Sequence, residues 1–179
     1  MTNSELLARC KENGWYLERV PSKQKTAELC LAAAKSAKRK LKSNKSILQY
    51  IPQELYTKEI FLCAVKNNGK VLRDIPQQLR DMEICQAAVV QCGEALADVP
   101  LELRNEAICC IAVQNEGRAI LHVPKDVLTY DVAYRAVHTT PAMLAHVPDD
   151  WKDHDMCLMA VLRDSKSIQF VPREILELL

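Results

Sequence analysis

The pattern that decides the fold is complete in one segment, Glu59-Ile-Phe-Leu-Cys-Ala-Val-Lys-Asn-Asn-Gly-Lys-Val-Leu-Arg-Asp-Ile-Pro-Gln-Gln-Leu79. Its proline belongs to a series spaced by 24 residues, which consists of Pro52, Pro76, Pro100, Pro124, Pro148 and Pro172. Pro21 precedes Pro52 by 31 residues, so seven residues are inserted between these two prolines. A fixed period of this length indicates tandem structural repeats.

Other residue types recur at fixed distances from each proline. Val or Ile comes directly before it, Leu or Ile lies four residues before it, and Ala lies twelve residues after it up to Ala160. We call this last position the alanine position. The four glycines all lie seven residues before a proline, at what we call the glycine position: Gly14, Gly69, Gly93 and Gly117.

Each repeat is predicted to contain two helices. The first is a short α-helix or 3₁₀ helix that ends at the proline, because proline cannot continue it. A capping residue five positions after the proline starts a second helix that is apolar on nearly every side. The glycine is predicted to end this second helix in the left-handed conformation. The capping residues are Thr26, Thr57, Asp81, Asn105, Thr129 and Asp153.

One such helical pair cannot bury a core alone, so the repeats must stack. We therefore predict an all-α fold, an α-solenoid of about seven short helix-turn-helix repeats with half-repeat caps, curved into a superhelix. It forms one domain over residues 1–179. The predicted parts are an N-terminal cap helix at 1–13, a first repeat with a basic insertion at 14–45, five regular repeats at 46–164 and a C-terminal cap at 165–179.

The composition excludes several classes of protein. Hydrophobic residues make up 49% and charged residues 26%, which is typical of a globular chain. Four glycines argue against a Gly-rich phosphate loop and a turn-rich β-sandwich. No apolar run approaches the ~20 residues of a membrane-spanning helix, and the N-terminus lacks the features of a signal peptide. We expect a cytoplasmic protein whose eight cysteines are reduced and mostly in the core.

The segment Glu59–Leu79 resembles a family of tandem short helical repeats of unknown function, found in bacterial proteins, some of them effector-like, and in viral proteins. The resemblance covers Gly14 to Leu179 and is best over Glu59–Asn115. It implies an interaction module without catalytic residues. It also implies an alternative location, in which the protein is secreted into a host cell by a route that needs no signal peptide.

The sequence contains no motif for catalysis or metal binding. It lacks a Ser/His/Asp order, a nucleophile elbow, a P-loop, an HExxH motif and any Cys/His cluster with zinc spacing. The acidic residues around Trp151 suit helix capping, and Cys109 and Cys110 lie in an apolar helix that favours inert thiols. We therefore predict a non-enzymatic protein with no cofactor and no metal.

Stacking of repeats turns each repeat position into a row across the surface. The position two residues before the proline, which we call the outer row, lies off the apolar face of the first helix and is expected to be exposed. The position three residues before the proline becomes more apolar toward the C-terminal half. The candidate partner-binding residues from these two positions are Tyr50, Asp74, Asp98, Leu121, His122, Ala145, His146 and Phe170. The alternative is a solvated face that binds nothing.

The insertion forms a second candidate site, the basic segment Lys35–Lys45. Residues 1–50 carry a net charge of +7, whereas residues 51–179 carry −6. Such a cluster can bind nucleic acid, an anionic membrane, an acidic protein surface or a nuclear-import receptor, and the alternative is a solvated helix extension. The basic residues are Lys35, Lys38, Arg39, Lys40, Lys42 and Lys45.

These observations favour a protein–protein interaction module or scaffold, because repeat arrays present extended surfaces. The alternative is nucleic-acid or nuclear association through the basic segment. An enzyme whose site is assembled from unrelated rows ranks last.

Overall fold

A computed structural model describes residues 1–37 and 46–178, and every regular element within these ranges is a helix. The α-helices are α1 (Asn3–Glu12), α2 (Ala27–Ser36), α3 (Lys58–Asn67), α4 (Met82–Gln91), α5 (Glu106–Asn115), α6 (Tyr130–Thr139), α7 (His154–Arg163) and α8 (Arg173–Leu176). The 3₁₀ helices that precede the repeat prolines are η1 (Gly14–Arg19), η2 (Ile47–Tyr50), η3 (Gly69–Asp74), η4 (Gly93–Asp98), η5 (Gly117–His122), η6 (Pro141–His146) and η7 (Ser165–Phe170). The predicted all-α fold of helical repeats is confirmed.

The chain divides into two compact units, Met1–Gln91 and Cys92–Leu179. In the first unit α1 packs on α2, α2 on α3 and α3 on α4, while η1 and η3 each lie against the two α-helices that flank them in sequence. In the second unit α5 packs on α6 and α6 on α7, and η5 and η6 are flanked in the same way. Successive repeats therefore stack within each unit.

The predicted capping residues all start an α-helix. In each case the side-chain oxygen accepts a hydrogen bond from the backbone N–H three residues later, as Asn105 Oδ1 does from Ile108 N at 3.1 Å and Asp153 Oδ1 from Met156 N at 2.8 Å. These bonds satisfy one of the free donors at the start of each helix. The other four pairs are Thr26 with Leu29, Thr57 with Ile60, Asp81 with Ile84, and Thr129 with Val132.

The repeat prolines separate the two helices of each repeat. The residue before the proline is extended, as proline requires of its predecessor: Ile75, for example, has φ −83° and ψ 130°. Pro76 then begins a single 3₁₀ turn, Gln77–Leu79. The same turn follows Pro100 and Pro148.

The core consists of small and aliphatic side chains from fixed repeat positions. The alanine position is at most 1% exposed in every repeat, which allows neighbouring α-helices to approach closely. The residue four before the proline, such as Leu72 or Leu96, is likewise buried in every repeat except the last, where Ile168 is exposed. Five of the eight cysteines are buried within α-helices: Cys10, Cys30, Cys85, Cys109 and Cys157.

The predicted left-handed glycine cap is wrong. No described glycine has a positive φ, and each glycine instead begins a 3₁₀ helix. The physical reason for glycine is close approach: a Cβ on Gly117 would lie 2.5 Å from the carbonyl oxygen of Ala136 and 2.6 Å from Thr140 Oγ1. A Cβ on Gly14 or Gly93 would also meet the carbonyl oxygen of the next alanine position. Glycine therefore allows the 3₁₀ helix to lie directly against the following α-helix.

Two described repeats carry another residue at the glycine position. Pro141 begins η6, and α6 packs less extensively on α7 than α5 does on α6. Ser165 begins η7, and no ten-residue α-helix follows it in the described part of the chain. At Pro141 the glycine is thus replaced where the next α-helix packs less closely.

Over residues 1–37 and 46–178, no helix combines the length and the apolar character that crossing a bilayer needs.

Candidate functional site

The outer row lies at the last residue of each 3₁₀ helix. In the first unit its members Tyr50 and Asp74 are half-buried. In the second unit Asp98 and Phe170 are half-buried, whereas His122 and His146 are exposed. Among the candidate partner-binding residues of this row, only the two histidines therefore meet the expectation of full exposure.

The position three before the proline is exposed throughout the second unit. Leu121 is 54% exposed, and Ala97, Ala145 and Gln169 are exposed as well. Since η4 packs on η5, η5 on η6 and η6 on η7, these residues follow one another on neighbouring 3₁₀ helices. The second unit thus presents a surface of small and apolar side chains beside two histidines, which we call the 3₁₀ surface.

A basic residue four positions after the proline holds this surface in place. The guanidinium of Arg104 donates from Nε to the carbonyl oxygen of Val99 at 2.8 Å and from Nη2 to that of Ala97 at 3.0 Å. Its Nη1 reaches the next repeat and donates to the carbonyl oxygen of His122 at 2.8 Å. The carbonyl groups at the end of a helix have no partner within the helix and carry partial negative charge, which a cation satisfies. One side chain therefore joins the ends of η4 and η5.

Lys152 makes the equivalent link at the end of the second unit. Its Nζ donates to the carbonyl oxygen of Phe170 at 3.1 Å and lies 2.7 Å from Asp149 Oδ1. The Lys152 side chain is buried, and the pairing with Asp149 and the carbonyl compensates for the loss of solvent. In the first unit Lys25 Nζ donates in the same way to the carbonyl oxygen of Tyr50 at 2.6 Å.

Sequence reasoning missed this link. Its signal was present, because the position four after the proline is basic in four repeats, at Lys25, Arg80, Arg104 and Lys152. The target is a backbone carbonyl, which no side-chain pattern reveals. The outer-row residues Tyr50, His122 and Phe170 thus have a structural role through their main chain, apart from any role of their side chains.

Polar pairs also link the starts of successive α-helices. In the first unit Lys58 Nζ lies 2.7 Å from both Asp81 Oδ2 and Glu83 Oε2, and its hydrogen bond lowers the pKa of Asp81. In the second unit the Tyr130 hydroxyl donates to Asp153 Oδ2 at 2.6 Å, which raises the pKa of Tyr130 to about 12. These carboxylates join one repeat to the next.

Most of the basic segment lies outside the described residues. Lys35 is described: it is exposed, and its Nζ lies 3.0 Å from Glu59 Oε1 in α3. The other five predicted residues, Lys38, Arg39, Lys40, Lys42 and Lys45, fall in the range 38–45.

Cys109 and Cys110, whose thiols were predicted to be inert, lie in α5. Burial raises the pKa of Cys109 to about 11, and burial also raises the pKa of its neighbour Cys110. A thiol with a raised pKa forms little of the reactive thiolate at neutral pH. Within the described ranges, no three His, Cys, Asp or Glu side chains lie close enough together to hold a metal ion.

Comparison with known proteins finds a match between a family model and part of the chain. No curated protein and no solved structure matches the chain. A family model described as a domain of unknown function, DUF4116, matches residues 28–80, a range that begins within α2 and includes α3 and η3. That part of the chain is therefore similar to a domain whose description names no ligand and no activity.

Proposed function

We propose that this chain is a non-enzymatic protein-binding module and that its 3₁₀ surface in the second unit is the binding surface. The observation that carries the proposal is the exposed position three before the proline, with Leu121 at its centre between Ala97 and Ala145. Exposed apolar groups beside polar ones are typical of surfaces that bind proteins.

The rigidity of the surface supports the same proposal. Arg104 joins the backbone of η4 to that of η5, and Lys152 holds the end of η7. Side chains carried on a fixed backbone lose little conformational freedom when a partner binds. The histidines His122 and His146 and the carboxylate of Asp98 add polar groups along one edge of the apolar surface, where they can set the orientation of a bound segment.

The test compares two substitutions of similar exposure. Leu121 is 54% exposed in η5, and Val90 is 56% exposed in α4, so arginine at either position should leave stability within about 0.5 kcal/mol of wild type. The wild-type protein and the variants Leu121→Arg and Val90→Arg are each used to capture proteins from nuclease-treated lysate. The captured proteins are quantified by mass spectrometry.

We expect a partner that wild type and Val90→Arg retain and that Leu121→Arg loses by at least fivefold. With that partner purified, Leu121→Arg should raise the Kd at least tenfold, because a charged group replaces an apolar contact at the centre of the surface. If no captured protein distinguishes Leu121→Arg from Val90→Arg, the 3₁₀ surface is not the binding surface.

Nucleic-acid or nuclear association through residues 35–45 stays a prediction from the sequence, with its own test below. The same holds for a cytoplasmic location and for secretion into a host cell.

A further inference from the structure

The charges of the second unit are distributed unevenly over its surface. Residues 92–179 contain 14 acidic and 8 basic residues, so the unit is acidic as a whole. None of these acidic residues lies in the three consecutive 3₁₀ helices η5, η6 and η7. These helices carry Arg118, Lys166 and the histidines His122 and His146, so this part of the 3₁₀ surface is a basic area on an acidic unit.

The two cations Arg118 and Lys166, which we call the cation pair, lie on the same face as the exposed apolar residues. A 3₁₀ helix has three residues per turn, so side chains three residues apart project in the same direction. Arg118 is therefore aligned with Leu121 in η5, and both are exposed. Lys166 holds the equivalent position in η7, and in η6 between them the two positions are Ala142 and Ala145. The face thus runs from one cation through small and apolar side chains to the other.

The charge of the cation pair is not neutralised within the protein. Over residues 1–37 and 46–178, no hydrogen bond or ion pair engages the guanidinium of Arg118 or the Nζ of Lys166. Glu116 and Asp164, which directly precede η5 and η7, are half-buried, and Asp164 Oδ1 accepts instead from the backbone N–H of Lys166 at 3.1 Å. The acidic residues of the turns follow the prolines, at the opposite end of each 3₁₀ helix.

This face lies along the side of the stacked repeats and not at their end. η5 packs against η4 and η6 and also against α5 and α6, yet Leu121 is 54% exposed. η6 packs between η5 and η7, and Ala145 is exposed as well. The exposure therefore belongs to repeats that have a neighbour on each side.

The spacing of the cation pair defines the length of a segment that meets both cations. Packed helices lie about 8–10 Å apart, so the two steps from η5 to η7 place Arg118 and Lys166 about 16–20 Å apart. An extended chain advances about 3.3 Å per residue and covers this distance in about five or six residues. The apolar row between the cations is one residue wide and is flanked by His122 and His146. Polar side chains beside such a row can bond to the main chain of an extended segment, whereas a docked helix needs a broad apolar groove.

The apolar centre of the face favours an acidic peptide over a nucleic acid. Single-stranded nucleic acids bind where their bases stack on aromatic side chains. η5, η6 and η7 contain no Tyr or Trp, and their one Phe, Phe170, is half-buried. Leu121 offers instead a contact for an aliphatic side chain.

We propose that the partner of the 3₁₀ surface is an extended acidic segment of another protein. Two carboxylate side chains of this segment, about five or six residues apart, meet Arg118 and Lys166, and an aliphatic side chain between them packs on Leu121. Exposed ion pairs add little affinity, so the aliphatic contact holds the segment while the charges select it. This assignment rests on the function proposed above, because it names the partner of the same surface.

The probe is a phage-displayed library of random twelve-residue peptides, selected against the wild-type protein at low salt. We expect the enriched peptides to carry two acidic residues five or six positions apart with an aliphatic residue between them. These peptides are synthesised with a fluorophore, and their binding is measured by fluorescence anisotropy. A selection that enriches no peptide, or only peptides without the acidic pair, overturns the proposal.

Variants of the protein test the role of the cation pair. Arg118→Glu and Lys166→Glu should each weaken binding of the selected peptides at least fivefold. Lys23→Glu, which makes the same change of charge at an exposed residue of the first unit, should change it less than twofold. A tenfold increase in NaCl should weaken binding to the wild-type protein, because salt screens exposed charges. Wild-type affinity in both variants of the cation pair overturns the acidic partner.

An exchange of charges guards against a variant that fails to fold. In the exchanged peptides, lysine replaces both acidic residues. The double variant Arg118→Glu/Lys166→Glu should bind these peptides at least fivefold more tightly than the wild-type protein does, which a misfolded protein cannot do. Equal binding of the exchanged peptides to the two proteins contradicts the proposal.

Leu121→Ser separates a wrong partner from a wrong surface, because serine removes the apolar contact without changing the charge. Binding that Leu121→Ser loses but Arg118→Glu and Lys166→Glu keep would retain the surface and refute the acidic partner. Peptides that bind Leu121→Ser as tightly as wild type would refute both this assignment and the function proposed above. If a single-stranded oligonucleotide of twelve nucleotides binds more tightly than the peptides and Arg118→Glu abolishes its binding, the partner is a nucleic acid and the proposal is wrong.

Discussion

The substitution Gly117→Ala tests the central packing contact of the repeat. Gly117 has no positive φ, so alanine can adopt the same backbone conformation. If the new methyl group met no other atom, the substitution should raise the free energy of unfolding by about 0.4–1 kcal/mol, because alanine lowers the conformational entropy of the unfolded chain. The new Cβ, however, would lie 2.5 Å from the carbonyl oxygen of Ala136, against about 3.3 Å for a close carbon–oxygen contact. A backbone atom cannot rotate away, so η5 and α6 must separate.

Forcing an extra methyl group into a packed interface costs about 1–3 kcal/mol. We therefore expect the free energy of unfolding to fall by about 1–2 kcal/mol. For a chain of this size each kcal/mol lowers the Tm by roughly 2–4 °C, so the Tm should fall by roughly 2–8 °C. Urea and thermal unfolding followed by circular dichroism measure this loss.

The glycine position of η7 gives an internal control. Ser165 has no following ten-residue α-helix against it in the described chain, so Ser165→Ala should be more stable than Ser165→Gly by about 0.5–1 kcal/mol. The preference for glycine over alanine should thus reverse between the two positions. A Gly117→Ala protein as stable as wild type would refute the close-approach explanation of the repeat glycines.

Other predictions concern single side chains and the basic segment. Ser167 is buried and its Oγ has no hydrogen-bond partner among the described residues, so Ser167→Ala should raise the free energy of unfolding by about 1 kcal/mol; a lower free energy of unfolding in urea would contradict this. Arg104→Ala removes three bonds to carbonyl groups and should lower the free energy of unfolding by about 2 kcal/mol, with only part recovered in Arg104→Lys, since ammonium cannot match the guanidinium fork; an Arg104→Lys protein as stable as wild type would disprove the role of the fork. Asn105→Ala removes the cap of α5 and should lower the free energy of unfolding by about 1 kcal/mol, whereas Asn105→Asp keeps a capping oxygen and should leave it almost unchanged; thermal unfolding measures both. Neutralising the four central cations of the basic segment should abolish any nucleic-acid binding. If weaker binding remains, the slope of the logarithm of the binding constant against the logarithm of the salt concentration should fall in magnitude by about 0.9 for each phosphate that the protein no longer neutralises. Unchanged binding would exclude the basic segment as the site. These cations are Lys38, Arg39, Lys40 and Lys42.

The repeat architecture was predictable because its determinants are local. The proline ends one helix, and a side chain such as Asn105 or Asp153 starts the next through a bond that spans three residues. Register then follows from the 24-residue period. Stacking of apolar helices needs no further information, because no single repeat can bury its own surface.

The role of the glycines was not predictable from local rules. Glycine after a helix most often indicates a left-handed cap, and this interpretation of Gly117 was wrong, because the partner atom is the carbonyl oxygen of Ala136 in the next repeat. The carbonyl links of Arg104 and Lys152 were hidden for the same reason. Both depend on packing between repeats, which a linear pattern does not show.

The candidate surface was predictable in position but not in exposure. The outer row was expected to face solvent, yet Tyr50, Asp74, Asp98 and Phe170 are half-buried. Exposure depends on how closely neighbouring 3₁₀ helices pack, and this varies between repeats. The identity of a partner depends on chemistry outside this chain.

The buried cysteines make the stability of individual helices measurable without any engineered label. Cys10, Cys30, Cys85, Cys109 and Cys157 each lie in a different α-helix, and burial raises the pKa of every one of these thiols. Such a thiol reacts with an alkylating reagent only when its helix opens, so its labelling rate reports the free energy of that local opening. Mass spectrometry of a partly alkylated sample would therefore rank five helices by the ease with which each one opens.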